Sequence, residues 1–170
     1  MDKRVTGQAW VFGDDINTDV IFPGKYTYTI SDPAQMATHA MEDADPAFAK
    51  AVQPGDIVVA GRNFGCGSSR EQAATCLKAA GVAVVIAKSF ARIYFRNAIN
   101  LGLPIVQCPE VVDHVKTGDA VTVDFEGGMV EHEGRRFAFP PLPESVMRIL
   151  EMGGLVEYVK AEIRQGQAAA

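Results

Sequence analysis

The sequence has no paired cysteines. Cys66, Cys76 and Cys108 stand apart with no CxxC spacing, which argues against a disulfide framework and against a four-thiolate metal site within this chain. His39, His114 and His132 are equally scattered, with none in the HExxH spacing of a zinc hydrolase. No apolar run approaches the ~20 residues that span a bilayer. An excess of positive charge is missing too: the net charge of −5 is mild and spread out, so nothing suggests nucleic acid or an anionic membrane as a partner. The opening Met1-Asp2-Lys3-Arg4 leads into a strand-like stretch rather than an apolar signal segment, and the expected location is cytoplasmic. Any metal or cluster that the chemistry needs must come from another chain.

What is present suits one compact domain: 170 residues, 48% apolar and 22% charged, enough to close a core of its own. The domain is expected over residues 1–164, with 165–170 a frayed tail. Residues 5–12 read as a strand, followed by a polar turn over 13–19 and a short apolar piece stopped by Pro23-Gly24. Asp32 is placed to cap a helix opening at Pro33 and running to about Met41. The middle alternates: strand 57–60, a glycine-rich loop, helix 69–80, strand 82–87, helix 90–101, strand 103–107. Continuous apolar runs separated by helices imply parallel strands with crossover connections. Residues 120–139 then read as a meander of short strands, and Pro143 and Leu155 open two last helices. The expected fold class is α/β, with a mixed, barrel-like sheet.

The most informative segment is Gly61-Arg62-Asn63-Phe64-Gly65-Cys66-Gly67-Ser68-Ser69-Arg70-Glu71-Gln72-Ala73. It follows a buried strand and precedes a helix, where unpaired amides and the helix dipole favour an anion. Gly65 and Gly67 allow close backbone approach, and Arg70 offers a planar fork for a carboxylate or phosphate. A structural alternative accounts for part of the same residues. Ser68-Ser69-Arg70-Glu71 fits a capping box, with Ser68 as N-cap and Glu71 answering from the third helical position. The segment has no GK[ST] ending and no GxGxxG spacing, and no histidine lies nearby to complete a serine hydrolase triad.

Asn63-Phe64-Gly65-Cys66-Gly67-Ser68-Ser69-Arg70-Glu71, followed by Ala87-Lys88-Ser89-Phe90-Ala91-Arg92-Ile93, resembles the swivel domain of the aconitase superfamily. Gly13-Asp14-Asp15-Ile16-Asn17-Thr18-Asp19-Val20-Ile21 is similar to the opening motif of its stand-alone form, the isopropylmalate dehydratase small subunits. The resemblance implies stereospecific dehydration and rehydration of a hydroxy-di- or tricarboxylate, in assembly with a large subunit. This chain would bind no cofactor itself; the large subunit would carry a [4Fe–4S] cluster on three cysteines. By the same match, Ser68 is the base that removes the proton beside a carboxylate, Gly67, Ser69 and Arg70 bind that carboxylate, and Asp19 joins the acid–base network at the rim. Cys66 lies inside the motif without being a ligand. Ser89 is placed to cap the helix at Phe90, with Phe90 and Ile93 in the core and Arg92 holding a loop or touching the partner.

Substrate choice in such families lies partly in the loop after Pro-Gly, here Gly24-Lys25-Tyr26-Thr27-Tyr28-Thr29. Thr27 stands where isopropylmalate enzymes carry leucine, and no arginine follows to neutralise an extra carboxylate. An uncharged substituent is therefore expected, isopropylmalate first, with citramalate, 2,3-dimethylmalate or homoaconitate as alternatives. Tyr26, Thr27 and Tyr28 are the candidate substrate contacts. Gln72 replaces the histidine of many bacterial small subunits, a feature of the archaeal, homoaconitase-like branch. A carboxylate-binding regulatory module is the alternative outside catalysis; it would use the same loop without needing Ser68 as a base.

Overall fold

The computed structural model describes residues 1–169. Its seven strands form one mixed sheet in the order β4-β3-β2-β1-β5-β6-β7. β1 (Arg4–Val11), β2 (Ile57–Ala60), β3 (Val84–Ala87) and β4 (Ile105–Gln107) are parallel, and β5 (Ala120–Asp124), β6 (Met129–His132) and β7 (Arg135–Ala138) continue from β1 as an antiparallel meander. The sheet curls into a half-barrel. Its two edges meet where the Cys108 thiol, just after β4, donates to the Ala138 carbonyl of β7 at 3.7 Å.

Side-chain alternation along each strand divides two cores. Ile57, Val59, Val84, Ile86 and Val106 join Val121, Val123, Val130 and Phe137 inside the curl. Val58, Ala60, Val85, Ala87 and Ile105 face the helices on the other side, among Phe22, Phe48, Phe64 and Leu77. Each fully buried side chain of this size contributes about 1.5–3 kcal/mol. The helices are α1 (Thr18–Ile21), α2 (Pro33–Ala37), α3 (Phe48–Ala51), α4 (Gln72–Ala79), α5 (Arg92–Asn100), α6 (Pro109–Val112), α7 (Glu144–Glu151) and α8 (Leu155–Ala169). None of them is long and apolar enough to cross a membrane.

Several expected boundaries shift. α2 stops at Ala37, before Met41, whose φ of +59° is incompatible with a continuing helix, and Asp32 makes no side-chain capping bond. The short helices α3 and α6 fall in stretches that carry too few residues for a periodic signal. α8 continues through 165–169, where fraying was expected, because alanine and glutamine there favour helix and outweigh Gly166; Ala170 lies outside the described residues.

Candidate active site

Parallel strands release their following loops at the same end of the sheet. Three of those loops continue side by side beyond β1, β2 and β3. The Gly65 amide donates to the Ile16 carbonyl at 2.8 Å and the Thr18 amide to Cys66 at 2.9 Å. On the other flank, the Phe64 amide donates to Ser89 at 3.1 Å and the Ala91 amide to Phe64 at 2.9 Å. The three motifs of the sequence thus lie adjacent, at the carboxyl ends of parallel strands where α/β sheets bind ligands. Asp14 and Asp15 bracket the glycine-rich loop by accepting from the Arg62 amide at 2.7 Å and from Asn63 Nδ2 at 3.2 Å. Gly65, at φ +84°, is dictated by Tyr94: a Cβ here would sit 2.2 Å from the ring's Cγ. Gly67, at φ +95°, turns the chain beside Thr18.

Arg70 does not project into solvent. Its side chain is 12% exposed and points inward. Nη2 donates to the Thr18 carbonyl at 2.7 Å and the Phe22 carbonyl at 2.6 Å, and Nη1 donates to Thr27 Oγ1 at 2.9 Å. The Asp19 carboxylate, itself exposed, lies 3.1 Å from Nη2. The buried Nε has no hydrogen-bond partner among the described residues. Thr27 is held a second time, by Gln72 Nε2 donating to its carbonyl at 2.9 Å. Thr18, 3% exposed, donates its hydroxyl to the Ser68 carbonyl at 2.9 Å and so fixes the serine's backbone. The Ser68 and Ser69 side chains are exposed, and the Ser68 hydroxyl has no partner among the described residues.

The capping box does not form. α4 begins at Gln72 with Glu71 at its N-cap and no side-chain capping bond, because Ser68 and Arg70 are drawn toward Thr18. Ser89 does not cap α5 either. Phe90 and Ala91 remain extended against Phe64, α5 starts at Arg92, and Ser89 Oγ accepts from the Asn63 amide at 2.8 Å. The Arg92, Ile93 and Tyr94 amides precede the first intrahelical bond, Phe95 to Ala91, and find no acceptor among the described residues. The open, partly positive helix end is therefore that of α5 rather than α4.

Between these loops lies a cleft of about 250 Å³, walled by Thr18, Gly67, Ser68, Ser69 and Arg70 on one side and by the first turn of α5 on the other. Of the residues singled out in the sequence, Gly67, Ser68, Ser69 and Arg70 line this cleft, and Asp19 lies beside it through Arg70. The substrate loop is different. Tyr26 stacks on His39 with ring centroids 4.0 Å apart, Tyr28 is 99% exposed, and Thr27 spends both its oxygens on Arg70 and Gln72; none of the three lines the cleft. Ile93, expected in the core, is 54% exposed and lines the cleft, whereas Phe90 is partly buried against the core. Thr18 and Asn97 also line it. Thr18 lay within the Asn17-Thr18-Asp19 motif and was legible there; nothing in the sequence singles out Asn97.

The cysteines do not form a ligand set. Cys76 is fully buried and burial pushes its thiol far up, while burial also raises that of Cys108. Among the described residues, the group of three ligand-type side chains close enough to share an ion is Asp119, His132 and Glu133, on the meander. There His132 Nε2 is hydrogen-bonded to the Asp119 carboxylate at 2.9 Å, at a strand end. Among the described residues, the three cysteines do not come together within ligand distance of one another.

Fold and cleft together define an aconitase-type swivel domain. The chain belongs to the aconitase C-terminal domain family, which it matches over residues 14–110. It is 55% identical to 3-isopropylmalate dehydratase small subunit 1 of Methanopyrus kandleri over 164 residues, covering 95% of this chain and 96% of that protein. The small subunit from Heliobacterium modesticaldum is 52% identical, covering 95% and 98% respectively. The crystal structure of 3-isopropylmalate dehydratase from Methanocaldococcus jannaschii superposes with a TM-score of 0.93 at 41% identity, covering 98% of this chain and 99% of that one.

Proposed function

We propose that this chain is the small subunit of an iron–sulfur hydro-lyase that interconverts 2- and 3-isopropylmalate, a step of leucine biosynthesis, and that it works only when assembled with a large subunit. The reading is carried by one observation: an exposed serine without a hydrogen-bond partner, fixed by its backbone in a cleft that the unpaired amides of the first turn of α5 also line. Near-full-length likeness to proteins named 3-isopropylmalate dehydratase small subunit supports it.

The residues of this chain serve the C–H half of the elimination. As an alkoxide, Ser68 takes the proton from the carbon beside a carboxylate and becomes a hydroxyl; in hydration it returns that proton to carbon. A serine alkoxide needs positive charge near it. Arg70, the open amides of α5 and Arg92, which has no acidic partner among the described residues, supply it. Ser69, Gly67 and Arg70 hold the carboxylate, and Asp19 keeps the Arg70 guanidinium oriented from the rim. The [4Fe–4S] cluster belongs to the large subunit in this reading, since the buried Cys76 and Cys108 do not meet a third ligand here.

The test is a dehydratase assay after anaerobic reconstitution with the large subunit. It follows unsaturated-acid absorbance with isopropylmalate, citramalate, 2,3-dimethylmalate and homocitrate. Turnover of isopropylmalate above the other acids, and by neither subunit alone, is expected. Preference for another acid would reassign the substrate. No turnover of any of them by a stable, cluster-intact assembly would favour a regulatory carboxylate-binding module.

A further inference from the structure

We propose that Gln72 is a positioning residue for the carboxylate-binding arginine: it holds the Thr27 carbonyl, and Thr27 in turn fixes the plane of the Arg70 guanidinium. The inference rests on the function proposed above, in which Arg70 holds the substrate carboxylate. It gives a role in the reaction to a side chain that does not line the cleft. Gln72 lies one residue beyond the shared motif that ends at Glu71.

The two ends of the guanidinium are held differently. Nη2 has three acceptors: the Thr18 and Phe22 carbonyls at 2.7 and 2.6 Å and the Asp19 carboxylate at 3.1 Å. Among the described residues Nη1 has one, the Thr27 hydroxyl at 2.9 Å, and Nε has none. Contacts at one nitrogen fix a point. A further contact at the other nitrogen fixes the plane, and a planar fork recognises a carboxylate through its plane. The orientation of Arg70 therefore depends on where the Thr27 hydroxyl stands.

Thr27 is weakly placed by its own segment. It follows the single 3-10 turn of Gly24–Tyr26, and its amide donates back to Gly24 within that turn. Tyr26 stacks on His39, which holds the preceding side chain and not the Thr27 carbonyl, and Tyr28 is 99% exposed. Among the described residues, the hydrogen bonds that tie Thr27 to another element come from Arg70 at its hydroxyl and from Gln72 Nε2 at its carbonyl, 2.9 Å each. Since the first is the bond to be positioned, the independent anchor is Gln72. Its own backbone is well rooted: it opens α4, whose Ala73, Ala74, Cys76 and Leu77 are buried. A threonine side chain is stiff at χ1, so holding the Thr27 carbonyl also places its hydroxyl.

The experiment uses the reconstituted two-subunit enzyme. kcat and KM are measured for isopropylmalate, and citramalate is measured as substrate or competitive inhibitor. Gln72→Met keeps the side chain's length and removes its donor. It should raise KM for isopropylmalate about fivefold, with kcat within about twofold of wild type. Citramalate carries the same carboxylate and should weaken by a similar factor. Gln72→His offers a ring N–H at a similar reach and should bring KM back to within about twofold of wild type. In a Thr27→Val background the hydroxyl is already gone, so Gln72→Met should raise KM by less than about twofold further. An unchanged KM in Gln72→Met overturns the inference, as does a rise that persists undiminished in the Thr27→Val background or that Gln72→His does not reverse. A wild-type assembly that turns over neither acid overturns the functional reading and this inference with it.

Discussion

The two halves of the sheet use the same kinds of residue for different ends. In the parallel half, β2 and β3 are buried at every position, and the loops after β1, β2 and β3 emerge side by side. Chemistry-bearing residues far apart in sequence, Asp19, Ser68 and Arg92, are gathered by that arrangement alone. In the antiparallel half, successive loops leave at opposite ends, and β5 and β6 alternate between buried and partly exposed residues. Polar side chains there satisfy one another. Arg4 meets Glu131 at 2.6 Å, Arg136 meets Glu131 at 3.5 Å, and Asp119 meets His132 at 2.9 Å. The two exposed pairs to Glu131 contribute about 0–1 kcal/mol each. The parallel half leaves donors unspent, at Arg70 Nε and the first amides of α5.

The sharpest way to break this comparison is through glycine. Gly65 and Gly134 both have positive φ, but only Gly65 has a neighbour, the Tyr94 ring, where a side chain would go. Gly65→Ala should lose about 3 kcal/mol of stability, summing left-handed backbone cost and overpacking, and Gly134→Ala only about 1 kcal/mol. Denaturant unfolding of the two variants checks the difference; equal losses would mean that the loop–Tyr94 contact is not formed. A smaller effect is expected for Thr27→Val, which takes the acceptor from Arg70 Nη1 and adds a second unpaired donor to a largely buried guanidinium. The cost should be about 2 kcal/mol by the same measurement, with a raised KM as Arg70 loses its fixed orientation.

The smallest effect lies in the meander. The Lys116 amide, and then His132, hold the Asp119 carboxyl below the usual carboxylate range. A carboxyl depressed by folding stabilises above its unfolded pKa of about 4 and loses that contribution as pH falls through its lower folded value. Asp119→Asn should therefore flatten the acid limb of the stability profile, followed by thermal unfolding between about pH 5 and pH 2, and leave turnover at neutral pH untouched. An acid limb identical to that of the wild type would remove Asp119 from the account.

The succession of strands and helices and the parallel run in the middle were legible because they follow from local patterns, continuous apolar runs and glycine punctuation. The details that failed depend on contacts across the chain. Ser68 and Glu71 have the spacing of a capping box, but the Thr18 hydroxyl, 50 residues away, takes the Ser68 carbonyl. Arg70 reads as a fork for an anion, but two carbonyls of the α1 segment and the Thr27 hydroxyl occupy its Nη atoms. Ser89 reads as a helix cap until Asn63 engages its hydroxyl. Ile93 reads as core by its chemistry alone. It sits about 100° around the helix from Tyr94, and only the packing of Tyr94, Ala98 and Ile99 decides which face is turned inward.

The central claim is that the cleft at the carboxyl ends of the parallel strands is where the substrate proton is taken, by Ser68. It is tested most directly by kcat of the Ser68→Ala small subunit reconstituted with the large subunit. We predict a loss of about 10³-fold in kcat, with subunit affinity and fold unchanged because the serine's backbone contact to Thr18 remains. Near-wild-type turnover by that assembly would contradict the account.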